Sequence, residues 1–219
     1  MVTLQEIKKN AVIETFIKKG NQFLGEMGFT EHSFRHVNLV ASISRNILER
    51  LGFSAREAEL GAIAGYLHDI GNVISRNNHG VSGALIAFRI LSDLGMPPEE
   101  IAIVISAIAN HEEEYGQPVN NVAAALILAD KSDVHRSRVR NPNLATFDIH
   151  DRVNYAAEHS FLWVNEERRV ITLELTIDIE ICPVMEYFEI FLTRMALCRR
   201  AASFLKADFE LMINGAKLL

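Results

Sequence analysis

The sequence predicts a mainly α-helical protein, with a helical bundle over residues 1–158 and a small ββαβ appendage over residues 159–219. Apolar residues recur at helical spacing through most of the first part. Capping residues and glycines stand where these segments begin and end. After about residue 160 the pattern changes to short runs rich in aromatic and β-branched residues, which favour strands.

Six helices are predicted in the bundle, each from its apolar periodicity and from the residues at its ends. The first alternates apolar residues with lysine and glutamate. Thr30 is suited to cap the second, and Ser54, followed by glutamates, opens the third. Gly71 ends the third helix, and two prolines followed by two glutamates begin the fifth. In order, the predicted helices span residues 4–19, 31–51, 54–71, 79–94, 97–111 and 122–134.

The appendage is predicted from three segments. Residues 161–179 contain two runs of aromatic and β-branched residues around the polar stretch NEER, which indicates a β-hairpin. Residues 182–205 are predicted to form a long helix with Pro183 near its start. Residues 207–219 are expected to form a last strand that pairs with the hairpin.

The composition is that of an ordinary globular protein: of 219 residues, 49% are apolar and 23% are charged. The net charge of −6 argues against nonspecific binding of nucleic acid, which requires a basic surface. The longest apolar runs fall short of the roughly 20 residues that cross a bilayer, and the N-terminal segment lacks the pattern of a secretory signal. Cys182 and Cys198 are expected to be buried free thiols. We therefore expect a cytoplasmic protein without membrane contact.

Histidine and aspartate residues recur where the predicted helices begin or end. The pair His68-Asp69 closes the third helix, and an antiparallel bundle brings the ends of alternate helices together. Four histidines and two aspartates are sufficient to hold two first-row metals, with Asp69 as the bridge. Such ligands suit Fe, Mn, Co, Ni or Zn better than Ca. The six candidates are His32, His68, Asp69, His79, His111 and Asp130.

The order of these residues resembles that of the HD-domain metal-dependent phosphohydrolase superfamily, in its two-metal H…HD…H…H…D form. The resemblance covers roughly residues 28–140. EHSFRHV is similar to the family's first-histidine helix, YLHDIGN to its HD turn and LILADKSD to its final aspartate motif. NHGVSGALI and IANHEEE are similar to the two additional histidine motifs of the two-metal members.

The resemblance implies two divalent metals, chosen among Fe, Mn, Zn, Co and Ni. By this resemblance the first metal would be held by His32, His68, Asp69 and Asp130, and the second by Asp69, His79 and His111. Two features depart from the family pattern. Asn72 stands where many relatives have lysine, and the GYP signature of cyclic dinucleotide phosphodiesterases is absent.

Several further residues are candidates at the edge of this site. His36 lies one helical turn from His32 on the same face, so it is either the first ligand itself or a group that supports His32; the family pattern favours the supporting role. Glu112 would orient His111 or the attacking water. A run of cations after the last aspartate fits phosphate oxygens, although it is equally consistent with a solvated face. The candidate phosphate ligands are Lys131, Arg136, Arg138 and Arg35.

The resemblance implies a hydrolase of phosphoesters or phosphoanhydrides. A hydroxide bridged between the two metals would attack phosphorus, with Asp69 and Lys131 as catalytic residues and a small phosphorylated molecule of nucleotide type as substrate. Two alternatives stay open: a di-iron oxygenase of the same superfamily, which shares the ligands, and a non-catalytic metal-containing module for sensing or interaction. The exposed face of the hairpin is a candidate surface for a homodimer.

Overall fold

The computed structural model describes residues 1–219 and confirms a mainly helical protein with a small sheet at its C-terminal end. Of its nine α-helices, α8 has no counterpart among the predicted ones. The helices are α1 Leu4–Lys8, α2 Ala11–Glu26, α3 Phe34–Arg50, α4 Ala55–Leu67, α5 His79–Asp93, α6 Pro98–Ala109, α7 Asn121–Lys131, α8 Ile149–Ala156 and α9 Val184–Phe204. The strands are β1 Ala157–Asn165, β2 Val170–Ile177, β3 Asp208–Ile213 and β4 Ala216–Lys217.

Short polar side chains decide where the first helices begin. The predicted first helix is in fact two helices, because the side chain of Asn10 accepts hydrogen bonds from two backbone N–H groups of the following turn and starts α2 afresh. α3 begins after Ser33, whose hydroxyl caps it, and not after Thr30. The predicted start of α4 is confirmed by a reciprocal capping box between Ser54 and Glu57.

The HD turn follows α4 directly and lies against the start of α5. α4 ends at Leu67, and a 3-10 turn over Ile70–Val73 follows. A Cβ atom at Gly71 would lie 2.0 Å from the carbonyl oxygen of His79 and 2.6 Å from the backbone nitrogen of Gly83. Only glycine permits this approach without a shift of α5. The end of α4 and the first turn of α5 are therefore neighbours.

The four strands form one sheet in the order β1-β2-β3-β4. β1 and β2 form the predicted antiparallel hairpin, and β3 pairs with β2 in parallel after the chain has passed through α9. The expected ββαβ order is thus present. β4 is an additional short strand that pairs antiparallel with β3.

α7 lies at the centre of the molecule, and nearly all of its residues are buried. It packs against α3, α4 and α6 of the bundle and also against α9 of the appendage. Apolar side chains from both parts join in one core of 59 buried residues. The appendage is therefore packed onto the bundle through a shared core. None of the helices combines the length and the apolar character that a membrane crossing requires.

Candidate metal centre

Six imidazole and carboxylate side chains meet where helix ends of the bundle converge. They come from the first turn of α3, the end of α4, the first residue of α5, the segment just after α6 and the last turn of α7. Five of them are buried, and the sixth, Asp130, has a side chain that is 12% exposed. The six residues are His36, His68, Asp69, His79, His111 and Asp130.

The first group of ligand atoms comes from α3, α4 and α7. His36 Nε2 lies 3.2 Å from His68 Nε2 and 3.4 Å from both Asp69 Oδ2 and Asp130 Oδ1. His68 Nε2 lies 3.2 Å from Asp69 Oδ2 and 3.5 Å from Asp130 Oδ1. Two imidazole nitrogens and two carboxylate oxygens thus surround one small volume.

The second group shares the carboxylate of Asp69. Its other oxygen, Oδ1, lies 3.4 Å from His79 Nε2, which lies 3.1 Å from His111 Nε2. One oxygen of Asp69 therefore faces each group. This is the position that a bridging carboxylate takes between two metal ions.

Hydrogen bonds on the outer side of each ring place a proton on the Nδ1 atom of the four imidazoles. His36 Nδ1 lies 2.7 Å from Asp133 Oδ2. The other three Nδ1 atoms each face a backbone carbonyl oxygen: that of His68 lies 2.8 Å from Gly65 O, that of His79 3.0 Å from Arg76 O and that of His111 2.6 Å from Ile108 O. Because these partners only accept, each Nδ1 carries a proton, and Nε2 is the ring nitrogen that faces the centre. Asp69 Oδ2 is buried without a hydrogen-bond donor. The centre therefore gathers acceptors that a cation would satisfy.

The spacing and the chemistry of this set fit divalent metal ions. Ligand atoms held about 2.1 Å from a common ion lie roughly 3.0–3.4 Å from one another. The separations within the two groups run from 3.1 to 3.5 Å. Imidazole and carboxylate ligands are those preferred by first-row divalent metals.

Burial and neighbouring charges shift the pKa values of two imidazoles of the centre in opposite directions. Burial disfavours a charged imidazole, but the carboxylates of Asp69 and Asp130 outweigh it and raise the pKa of His68 to about 10. Burial together with the neighbouring rings of His79 and His68 lowers the pKa of His111 to about 3. His111 is thus neutral at physiological pH, and the proton on His68 is one that a metal ion would displace.

The structure places His36, rather than the predicted His32, among the candidate ligand atoms. His36 Nε2 lies among the ligand atoms, whereas His32 Nδ1 lies 2.7 Å from the carbonyl oxygen of Thr30, and its ring is 5.5 Å from that of His36. The cause is the start of α3: with Ser33 as the cap, His32 stays in the preceding loop and His36 falls in the first turn. The geometry therefore favours His36 over His32, and the alternative in which His36 is the first ligand is the one that it supports.

Asp133 is a site residue that the sequence analysis missed. Its Oδ2 accepts a hydrogen bond of 2.7 Å from His36 Nδ1, and Arg35 donates to both of its oxygens at 3.2 and 2.8 Å. Outer partners of this kind fix the tautomer and orientation of a ligand. Asp133 follows Asp130 by three residues, and this spacing is the signal that would have identified it.

The three predicted phosphate-binding arginines are engaged elsewhere. Arg35 is held by Asp133, as described. Arg138 is buried and donates to the backbone carbonyls of two loop residues at 2.7–3.1 Å. Arg136 pairs with Glu158 at 3.0 Å. These contacts tie the three guanidinium groups to other parts of the chain, and their predicted role in binding phosphate stays a prediction.

Asn72 and Glu112 orient ligands of the second group. Asn72 Nδ2 donates to Asp69 Oδ1 at 2.9 Å, which gives this departure from the family pattern a role. Glu112 Oε1 accepts from the Gly80 N–H at 2.7 Å, and its Oε2 lies 3.3 Å from His79 Nδ1. Glu112 therefore supports His79, whereas the sequence predicted that it would orient His111 or the attacking water.

Two cations lie beside the centre, on its α7 side. Lys131 is buried with its Nζ 2.6 Å from Asp130 Oδ2 and 3.6 Å from Glu113 Oε1. The same Glu113 oxygen lies 2.7 Å from Nη2 of Arg194. Arg194 comes from α9, so the appendage contributes a charged group near the centre. No local signal in the sequence singled it out.

The remaining histidines lie outside the two groups of ligand atoms. His135 caps a 3-10 turn through its Nδ1, and His159 is exposed in β1. His150-Asp151, which repeats the HD dipeptide, lies in α8 with no set of metal-binding side chains around it.

Comparison with known proteins agrees with this geometry. The family model described as HD domain matches residues 33–135, a range that contains all six candidate ligands. The uncharacterized protein MJ1020 of Methanocaldococcus jannaschii is 27% identical over 168 residues, which cover 66% of this chain and 64% of that relative. The chain thus matches less than two thirds of that relative's length. Residues 33–135, just under half of the chain, therefore match an HD domain, and all six side chains of the candidate centre come from this range.

Proposed function

We propose that this protein is a two-metal phosphohydrolase that cleaves a phosphoester or phosphoanhydride. His36, His68, Asp69 and Asp130 would hold one divalent metal, and Asp69, His79 and His111 the other. The observation that carries the proposal is the carboxylate of Asp69, which directs one oxygen to each group of ligand atoms. A single-metal or purely structural role would not require that division.

The residues of the chain have distinct tasks in this reaction. Bound divalent metals would supply Lewis-acid polarisation of the phosphoryl group and a water of lowered pKa. Asn72 holds one oxygen of Asp69 in place, and Asp133 and Glu112 fix the rings of His36 and His79. Burial of these groups excludes bulk water and strengthens their electrostatic effect. Lys131, beside Asp130, would stabilise negative charge on the phosphoryl oxygens.

The substrate class that fits is a small phosphorylated molecule, with nucleotides as the first candidates. A buried ammonium group next to metal ligands favours a phosphate over an uncharged substrate. The hydrolase and the di-iron oxygenase would use the same ligands, so the ligands do not separate them. The ammonium group of Lys131 favours the hydrolase.

The proposal is tested by replacing Asp69. Asp69→Ala should lose metal from both groups and with it all phosphate release, because one carboxylate serves both. Metal per chain is measured by elemental analysis, and phosphate release by a screen of phosphoesters and nucleotides. Asp151→Ala is the matched control, since it alters the second HD dipeptide outside the centre. A fully active Asp69→Ala protein without metal would contradict the proposal.

The oxygenase alternative is separated from the hydrolase by the same screen under strict anaerobiosis. Phosphate release that continues without dioxygen supports the hydrolase. Dioxygen-dependent oxidation of a substrate, with no phosphate released under any condition, would contradict it.

A further inference from the structure

Glu113 joins two cations beside the candidate metal centre. Its Oε1 lies 3.6 Å from Lys131 Nζ, 2.7 Å from Arg194 Nη2 and 2.8 Å from Arg194 Nε. The Glu113 side chain is 26% exposed, against 8% for Lys131 and 18% for Arg194. These two cations are its polar partners. One carboxylate thus covers two largely buried cations.

We infer that Lys131 and Arg194 form the seat for a phosphate group of the substrate, and that Glu113 fills this seat until the substrate displaces it. The inference rests on the proposed function. Carboxylate and phosphate oxygens make the same charge-assisted hydrogen bonds with ammonium and guanidinium groups. A position that a carboxylate takes between two such cations is therefore one that a phosphate oxygen fits.

Arg194 is prepared for a larger anion than the one it holds. Its guanidinium carbon lies 4.0 Å from the centre of the Phe191 ring, which supports the plane of the group. Nε and Nη2 both point to the same Glu113 oxygen. A phosphate group offers a separate oxygen to each arm of the guanidinium fork, so it uses the geometry of arginine more fully than Glu113 does.

The charges around the seat favour exchange of Glu113 for a phosphate. Lys131 also contacts Asp130, which the proposed function assigns to a metal. A carboxylate that shares its charge with a metal holds Lys131 less strongly, and Glu113 alone then faces two cations. A phosphate dianion would balance both. Glu113 lies in the connection between α6 and α7, outside any helix or strand, so it can leave without unwinding an element.

A purely structural reading treats Glu113 and Arg194 as an ion pair that fastens the α6–α7 connection to α9. The two readings predict opposite signs for one substitution. If the ion pair has only this structural role, removal of either charge weakens phosphate binding. If it is a phosphate seat, removal of the Glu113 charge strengthens phosphate binding, and removal of the Arg194 charge weakens it.

The test uses the metal-loaded full chain, with inorganic phosphate titrated by calorimetry and KM measured for a phosphoester that the protein hydrolyses. Arg194→Met should raise the phosphate Kd and the KM about tenfold or more, with Arg194→Lys intermediate. Glu113→Gln should lower the phosphate Kd, and this gain should shrink in the Glu113→Gln, Arg194→Met double variant. Arg199→Met, at an exposed position of the same helix, should match the wild type.

The proposed seat is contradicted if Glu113→Gln weakens phosphate binding, or if the phosphate Kd is unchanged in both Arg194 variants. If Arg194→Met does not fold, Arg194→Lys alone decides the test. Failure of the proposed function looks different. The wild type then releases phosphate from no phosphoester, while the titration still decides the seat. If hydrolysis stands and neither Kd nor KM responds, the seat alone is wrong.

Discussion

The imidazole rings of the centre are held in place by their outer nitrogens. Three of them donate to backbone carbonyls, while His36 donates to the carboxylate of Asp133. Arg35 holds that carboxylate through both of its oxygens. Outer partners of this kind contribute about 10–100-fold to metal affinity. Arg35 therefore supports a candidate ligand, His36, through Asp133.

The exchange of roles between His32 and His36 leads to a direct prediction. His36→Ala should lose most of its bound metal, because its Nε2 lies among the ligand atoms, whereas His32→Ala should retain metal near the wild-type level. Metal per chain is measured after loading with Mn²⁺ and removal of free ions. His135→Ala provides a control outside the centre. Retention of metal by His36→Ala together with its loss from His32→Ala would contradict this assignment.

Among the elements, α3 and α4 approach each other more closely than side chains normally allow. A Cβ atom at Gly65 of α4 would lie 2.8 Å from both the backbone nitrogen and the Cα of Ala41 in α3. The two helices therefore meet backbone to backbone. Their contact sets the distance between His36 on α3 and His68 at the end of α4.

A methyl group at this contact should disturb both stability and metal binding. Gly65→Ala is expected to destabilise the fold by about 1–3 kcal/mol through overpacking, and to weaken metal binding because it separates His36 from His68. Urea unfolding in the presence of chelator measures the first effect, and a metal titration the second. Gly25→Ala in α2 is the matched control: its Cβ would meet only the flexible end of Arg140, at 3.1 Å, and helix propensity favours alanine by up to about 1 kcal/mol. Equal stabilities of the two variants would refute the steric argument.

Local signals in the sequence located the helices and the ligand-bearing turns, but not the register of α3. Thr30 and Ser33 are both good caps, and the choice between them depends on contacts made far along the chain. Arg138 donates to the carbonyl oxygen of Glu31, and this contact fixes the loop before α3. With Ser33 as the cap, His36 rather than His32 falls on the inner face. Sequence periodicity alone does not contain that information.

At the scale of the whole molecule, two segments that differ in sequence pattern share one core. The change of periodicity near residue 160 correctly predicted the sheet, which begins at Ala157. Periodicity describes one element at a time, so it did not show that α9 packs on α7. That packing brings Arg194 to the centre, in the place where the sequence suggested Arg136 and Arg138. Which arginine reaches the site is decided by the tertiary fold.

The shared core predicts that the bundle and the appendage unfold together. Trp163 is the single tryptophan and lies in β1, so its fluorescence reports on the sheet, while far-UV circular dichroism reports mainly on the helices. Urea unfolding of the metal-free protein should give the same midpoint with both probes. Phe191→Ala removes a buried ring from α9. It should lower the urea midpoints of both probes together and reduce the free energy of unfolding by about 3–5 kcal/mol.

The same unfolding experiment with added metal gives the decisive comparison. Binding at helix ends of the bundle stabilises only states in which the centre is formed, and the stabilisation grows with metal concentration. If those states also require the sheet, added metal raises the fluorescence midpoint of Trp163 by as much as the circular dichroism midpoint. Leu192→Ala, at an exposed position of α9, should leave both midpoints near those of the wild type. Two separate transitions, with metal moving only the helical one, would mean that the appendage folds independently and that its core with the bundle contributes little to stability.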